Sequence, residues 1–149
     1  MFIALHHGGL PTEDAARAKA FWCGVLGFVS FPGKDNWLGW DGTTYPVHLM
    51  PPDEVEHTNL LSRHLAIEVD RLETVLEALL RAQLAPFQAA LTGERQPILS
   101  LDQPLDFGIG TIFVYDPDGN VIEFVQKGRG LFAILNEPEH LEAASAATS

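Results

Sequence analysis

Apolar and polar positions change period repeatedly along this chain, and the changes mark out its elements. Phe2 to Leu10 is short and largely apolar, which predicts a strand. Thr12, Glu13 and Asp14 follow as a helix start, placing acidic side chains near the positive end of the helix dipole. Ala18, Phe21, Trp22, Val25 and Leu26 then recur at helical spacing, and Gly27 closes the helix. Short strands are predicted at Phe28–Phe31, Trp37–Trp40 and Tyr45–Met50, with Gly33, Asp35–Asn36 and Asp41–Gly42 at the turns.

The second half begins in the same way. Arg63 to Val69 alternates like a strand. Asp70 with Glu73 three residues on has the spacing of a capping box. Leu72, Val75, Leu76, Leu79 and Leu80 make one apolar helix face. Two further strands, Thr111–Tyr115 and Val121–Gln126, flank the turn Asp116-Pro117-Asp118-Gly119-Asn120. The chain therefore reads strand–helix–strands twice, a repeat of element order rather than of residue identity. Between the second helix and the last two strands, Gln88 to Gly110 is long and irregular, a length at which loops often serve as lids. Leu131–Leu135 has the character of a docking segment, and Ala143–Ser149 that of a frayed end.

Composition narrows the classes of function. At 149 residues the chain is long enough to fold around one core without disulfides or metal. Its 46% apolar and 19% charged residues are globular proportions, which excludes a disordered chain. No apolar run reaches a membrane span, and Met1 to Gly9 lacks the basic and apolar regions of a secretory signal. Nine basic against 20 acidic residues give a net charge of -11, with no basic stripe. Nucleic acid and anionic membrane surfaces are excluded as partners on that ground. Cys23 is the single cysteine, reads as a small buried hydrophobe, and suits a reducing, cytoplasmic setting.

The residues with chemical capacity are His7, His48, His64 and Glu123, each on a predicted strand of the repeated unit. Two strand-borne histidines at matching positions, with a glutamate on the last strand, suit a divalent ion such as Zn, Fe, Ni, Mn or Co. His7 and His64 are separated by 57 positions and His64 and Glu123 by 59, so no local metal motif is present. The competing reading is of hydrogen-bonded core or surface histidines. His6 neighbours His7 and, on a strand, points to the opposite face. His57 and His140 read as solvated.

Three segments carry a family resemblance. They are His7-Gly8-Gly9-Leu10-Pro11 … Asp14 … Ala20-Phe21-Trp22 … Val25-Leu26-Gly27-Phe28; His64-Leu65-Ala66-Ile67-Glu68-Val69-Asp70; and Phe113-Val114-Tyr115-Asp116-Pro117-Asp118-Gly119-Asn120-Val121-Ile122-Glu123-Phe124. Together the sequence resembles the vicinal oxygen chelate superfamily, which includes glyoxalases, bleomycin-resistance proteins and extradiol dioxygenases. The resemblance covers residues 3 to about 127. It implies an α+β fold of two βαβββ modules, whose curved mixed sheet surrounds a central metal and substrate cavity. A single domain over 1–149 follows, with modules at about 2–58 and 62–127 and a tail over 128–149.

By position, the resemblance makes His7, His64 and Glu123 metal ligands. His48 stands where many glyoxalase-like members have glutamate, and is either a fourth ligand or an acid/base. Many dioxygenases of the group have a tyrosine ten residues before the glutamate. Phe113 occupies that position here, and Tyr115, on the same strand face, is the substitute catalytic candidate. Glutathione and phosphonate chemistry are disfavoured, because the first strand has no basic residue after His7 and only Arg95 and Lys127 are basic between Leu84 and Gly128. Phe31, Trp37, Trp40, Phe107 and Phe113 are candidates for an aromatic cavity wall, against ordinary core packing.

The expected function is a divalent-metal-dependent lyase, isomerase or dioxygenase acting on a small molecule that chelates the ion through adjacent oxygens. The alternative is a non-catalytic drug-binding protein of the bleomycin-resistance type. A homodimer is expected from the resemblance.

Overall fold

The computed structural model describes residues 6–51 and 63–129. Phe2–Leu5, His57, His140, the docking segment 131–135 and the chain end lie outside the described residues, as does most of the tail.

The elements in chain order are β1 (Gly8–Pro11), α1 (Ala15–Lys19), a π-helical segment (Ala20–Val25), β2 (Val29–Phe31), β3 (Lys34–Gly39), β4 (Val47–Met50), β5 (His64–Val69), α2 (Leu72–Arg81), β6 (Phe87–Ala89), β7 (Arg95–Pro97), β8 (Ile112–Tyr115) and β9 (Val121–Gln126). The strands form two sheets, ordered β1-β4-β3-β2 and β5-β9-β8-β6-β7. The first sheet is mixed: β1 runs parallel to β4, while β3 is antiparallel to β4 and to β2. In each sheet the first strand of the repeat sits beside the last, and β7 is an added edge strand. The repeat of element order in the sequence is thus a repeat of strand order. The fold class is α+β.

The described residues divide into two compact units. One comprises the chain through Leu65 together with Tyr115–Ile122; the other comprises Ala66–Val114 and the chain from Glu123 on. The first unit buries Ala18, Phe21, Trp22, Leu38, Val47 and Leu49. The Asp14 carboxylate accepts from the Arg17 N–H and so caps α1, which begins at Ala15 with no acidic residue in its first turn, later than the start read from Thr12, Glu13 and Asp14. The helix then widens, with the Leu26 N–H donating to the Phe21 carbonyl five residues back. Gly27 takes a φ of +75°, the left-handed value that ends a helix.

This unit also contains the turn from the second repeat. The Asp116 carboxylate accepts from the backbone N–H groups of Asp118 and Asn120 and from Asn120 Nδ2. Asn120 Nδ2 also donates to the Pro11 carbonyl, at 3.0 Å. Asp118 Oδ1 accepts from the Glu13 N–H and from the Arg17 guanidinium. The turn is therefore a clasp on the connection between β1 and α1. Burial pushes the Asp116 carboxyl above its usual range despite these hydrogen bonds.

The second unit has its own apolar core. Leu72, Leu76 and Leu79 of α2 are buried, as are Ile112, Phe113 and Val114 of β8. Asp70 does not cap α2. Arg71 stands at the cap position with no side-chain cap bond, and the Leu72 N–H donates instead to Gln126 Oε1 at 3.3 Å. A tertiary acceptor replaces the local one, which sequence spacing cannot foresee. The irregular stretch is also more ordered than its sequence predicts. It contains the β6–β7 hairpin, and Gln88 is fully buried. Gln88 Nε2 donates to Gln96 Oε1 and the Pro104 carbonyl, while its Oε1 accepts from the Phe107 N–H. Pro97 is tolerated because β7 is an edge strand. In the first sheet, Asp35 and Asn36 lie within β3 rather than at a turn.

Candidate functional site

β1 and β4 fix the spacing of the first two candidates. Gly9 is level with His48 across the parallel pair, and Trp37 of β3 is level with His48 from the other side. His7 directly precedes β1. The register brings His7, Trp37 and His48 together. The His48 ring stacks on Trp37 with centroids 4.0 Å apart and planes 11° apart. His7 meets the Trp37 indole edge-on at 4.6 Å and lies 5.8 Å from His48.

Hydrogen bonds orient both rings. Asn36 Nδ2 donates to the Leu49 carbonyl at 3.3 Å and to His48 Nε2 at 3.1 Å. The carbonyl can only accept, so the amide orientation is set and His48 Nε2 is an acceptor. His6 Nδ1 and His7 Nδ1 are 2.8 Å apart, one donating to the other. That contact leaves His7 Nε2 outside it. His6 does not point away from His7, because β1 begins at Gly8 and strand alternation does not apply to residues 6 and 7.

His64 opens β5 and is exposed. It lines a cavity of about 380 Å³ in the same unit, together with Gly8, Gly9, Arg63, Leu65 and Asn120. Tyr115 ends β8, half-buried, in this unit as well. Glu123 belongs to the other unit, where it is buried and its Oε1 accepts from Thr111 Oγ1 at 2.7 Å.

Two imidazoles on one ion, each bonded through nitrogen at 2.0–2.1 Å, would have centroids about 4.5–5.5 Å apart. The His7–His48 separation lies just beyond that range. Among the described residues, no group of three or more His, Cys, Asp or Glu side chains could hold a metal ion. His7 would fit one in the tautomer whose Nδ1–H donates to His6, since a ligating imidazole commonly donates its other N–H to a neighbour and Nε2 would then face the ion.

The aromatic candidates divide. Trp37 belongs to the histidine cluster, whereas Phe113 is buried and stacks on Phe87. Phe31 and Trp40 are exposed, against Tyr45 and Phe28 respectively. Cys23 is half-buried. Reading the sequence singled out neither Asn36 nor Arg63, and it took the Asn120 turn for a connection. Arg63's position next to His64 was the available signal.

The sequence model of the Glyoxalase/Bleomycin resistance protein/Dioxygenase superfamily matches residues 4–124. The chain belongs to this superfamily. The superfamily fold recurs in solved structures of low sequence identity. TnmS3, an antibiotic-binding protein from a Streptomyces species, is 20% identical over 84% of this chain and 96% of its own, with a TM-score of 0.58. The trypanothione-dependent glyoxalase I of Leishmania major is 16% identical over 99% of this chain and 100% of its own, with a TM-score of 0.56. A glyoxalase/bleomycin resistance protein from a Streptomyces species is 23% identical over 79% of this chain and 96% of its own, with a TM-score of 0.52. No curated protein matches the chain by sequence. Among the described residues, no helix is long and apolar enough to cross a membrane.

Proposed function

We propose that this superfamily member is a divalent-metal-dependent enzyme of the glyoxalase/dioxygenase type, acting on a small molecule with two adjacent oxygens. His7, His64 and Glu123 are the proposed ligands, and the ion is Fe, Mn, Ni, Zn or Co. The observation that carries this reading is the His7 arrangement: Nδ1 is engaged by His6, while Nε2 lies outside that contact and His48 stands alongside. When bound, the ion would polarise the chelated oxygens and stabilise the anion that forms on them.

The protein's own groups have distinct tasks in this reading. His6 orients His7. Asn36 and Trp37 hold His48 by a hydrogen bond and a stacked face; with Nε2 accepting from Asn36, the ring offers its Nδ1–H as a proton donor, and His48 stands as either a fourth ligand or an acid/base. Tyr115 is the second candidate for proton transfer. Glu123, on the other unit, takes part either within one chain or across a homodimer. The single Cys23 suits a cytoplasmic protein.

A specific observation favours a second reading. The described residues gather no three-donor cluster, and one fold relative is an antibiotic-binding protein, so a non-catalytic drug-binding role is the alternative. Metal content separates the two. Untagged protein purified without chelator is expected to hold near one equivalent of metal per chain, lost in His64→Ala. Absence of metal from the native protein, even after reconstitution with each ion, would overturn the enzyme reading and leave the binding protein.

A further inference from the structure

We propose that the cavity beside His64 takes an anionic ligand, a small carboxylate carrying a hydroxyl group, and that Arg63 is the residue that reads its charge. This deepens the proposed function and rests on that cavity being the ligand site.

The cavity, at about 380 Å³, falls in the size range of small-molecule sites. Part of its wall is bare backbone, because Gly8 and Gly9 present no side chain. A Cβ at Gly8 would come within 3.2 Å of Leu65 Cδ1, another lining atom, so a side chain there would crowd the space. Arg63 is the cation that lines this cavity. Arg17, Lys19 and Arg81 are held in ion pairs elsewhere. Arg63 is exposed and has no hydrogen bond or ion pair among the described residues. In a chain of net charge -11, this guanidinium beside the cavity is a planar, two-pronged donor suited to a carboxylate.

Asn120 supplies the complement. Both its Nδ2 protons are engaged, one with the Pro11 carbonyl and one with Asp116 Oδ2. Both partners accept, so the amide cannot be reversed, and Oδ1 is left as an acceptor without a partner among the described residues. A cavity wall with one guanidinium donor and one amide acceptor matches a carboxylate that also carries a hydroxyl hydrogen. The same pair would recognise a neutral amide poorly, because the two-pronged ion pair between guanidinium and carboxylate is lost.

The test is an NMR titration of the ¹⁵N-labelled full chain with lactate and glycolate, each in parallel with its neutral amide. The acids are expected to shift the Gly8, Gly9 and Asn120 side-chain signals saturably, and the amides to bind at least about tenfold more weakly. Arg63→Gln is expected to abolish the preference for acid over amide, Arg63→Lys to keep part of it, and Arg71→Gln, a control in the other unit, to leave it intact. Equal response to acid and amide, no response to either acid, or an unchanged preference in Arg63→Gln would each overturn the proposal. Metal analysis of the same samples keeps the two readings apart. Acid binding through Arg63 in protein that takes up no metal would leave this inference standing while the enzyme reading falls. Metal uptake with acids indifferent to Arg63 would do the reverse.

Discussion

The two repeats build the same strand order from different material. In the first unit the sheet carries His48 and Trp37 half-buried, leaves Val29, Phe31 and Met50 exposed, and relies on polar clasps such as the Asp116–Asn120 turn. In the second, α2 and β8 bury continuous apolar faces, and the long connection is tied down by Gln88. A half-buried imidazole such as His48 is not also covered by leucine. Both units nonetheless bury apolar cores and expose apolar side chains, such as Phe31 and Trp40 in the first and Leu91 and Leu99 in the second. The contrast is between the sheet around His48 and the core of α2 and β8, and mutations in the two can break or sharpen it.

The largest effects are expected where both units are equally intolerant. A Cβ at Gly39 would lie 1.7 Å from the Thr44 carbonyl oxygen, and one at Gly108, where φ is +66°, would lie 2.1 Å from that of Ala89. Gly39→Ala and Gly108→Ala should each cost about 3–5 kcal/mol in urea unfolding, since backbone must move in both. A small loss in either would show that its loop yields.

The next pair exposes the difference between the α2 core and the exposed edge of the first sheet. Leu79→Ala, at a fully buried position of α2, should cost about 2–5 kcal/mol. Phe31→Ala, at a site 44% exposed, should cost about 1 kcal/mol or less by the same measurement. Equal losses would remove the contrast.

A smaller effect concerns pH. Burial raises the Asp116 carboxyl above 3.8, so the folded chain holds that proton more tightly than the unfolded one. Its contribution is full below pH 3.8 and declines as pH rises through the folded value. The stability advantage of wild type over Asp116→Ala should therefore narrow between pH 3.8 and neutrality, read by unfolding at a series of pH values. A widening advantage would mean that the hydrogen bonds of the clasp outweigh burial.

The smallest expected loss of stability is the most informative for the site. Trp37→Leu should change unfolding by about 1 kcal/mol or less, because the ring is half-buried, yet it removes the face against which His48 is stacked. The His48 ring signals in NMR should broaden or move in the variant. Unchanged signals would show that Asn36 alone orients the ring.

Much of the fold was legible before any coordinates. The apolar periodicity located α2, and the Thr12–Asp14 segment marked the start of α1 to within a few residues. β8 and β9 flank the Asp116–Asn120 turn, where turn chemistry is local. β6 escaped notice because Phe87, Gln88 and Ala89 are all buried, leaving no alternation to read. The candidate site was legible in part. His7, His48, His64 and Glu123 could be named from motifs, but their neighbours could not.

By itself, the sequence determined the repeated element order, the superfamily, and the residue types available for chemistry, because periodicity, turn residues and motifs are properties of neighbouring positions. Tertiary structure decided the partners. Strand register stacks His48 on Trp37 and hands its Nε2 to Asn36. The packing of a distant turn commits both amide protons of Asn120, a residue that lines one cavity together with Arg63. Hydrogen-bond roles depend on which atoms the folded chain places within about 3 Å of one another, and residues far apart in sequence acquire those distances only through the fold.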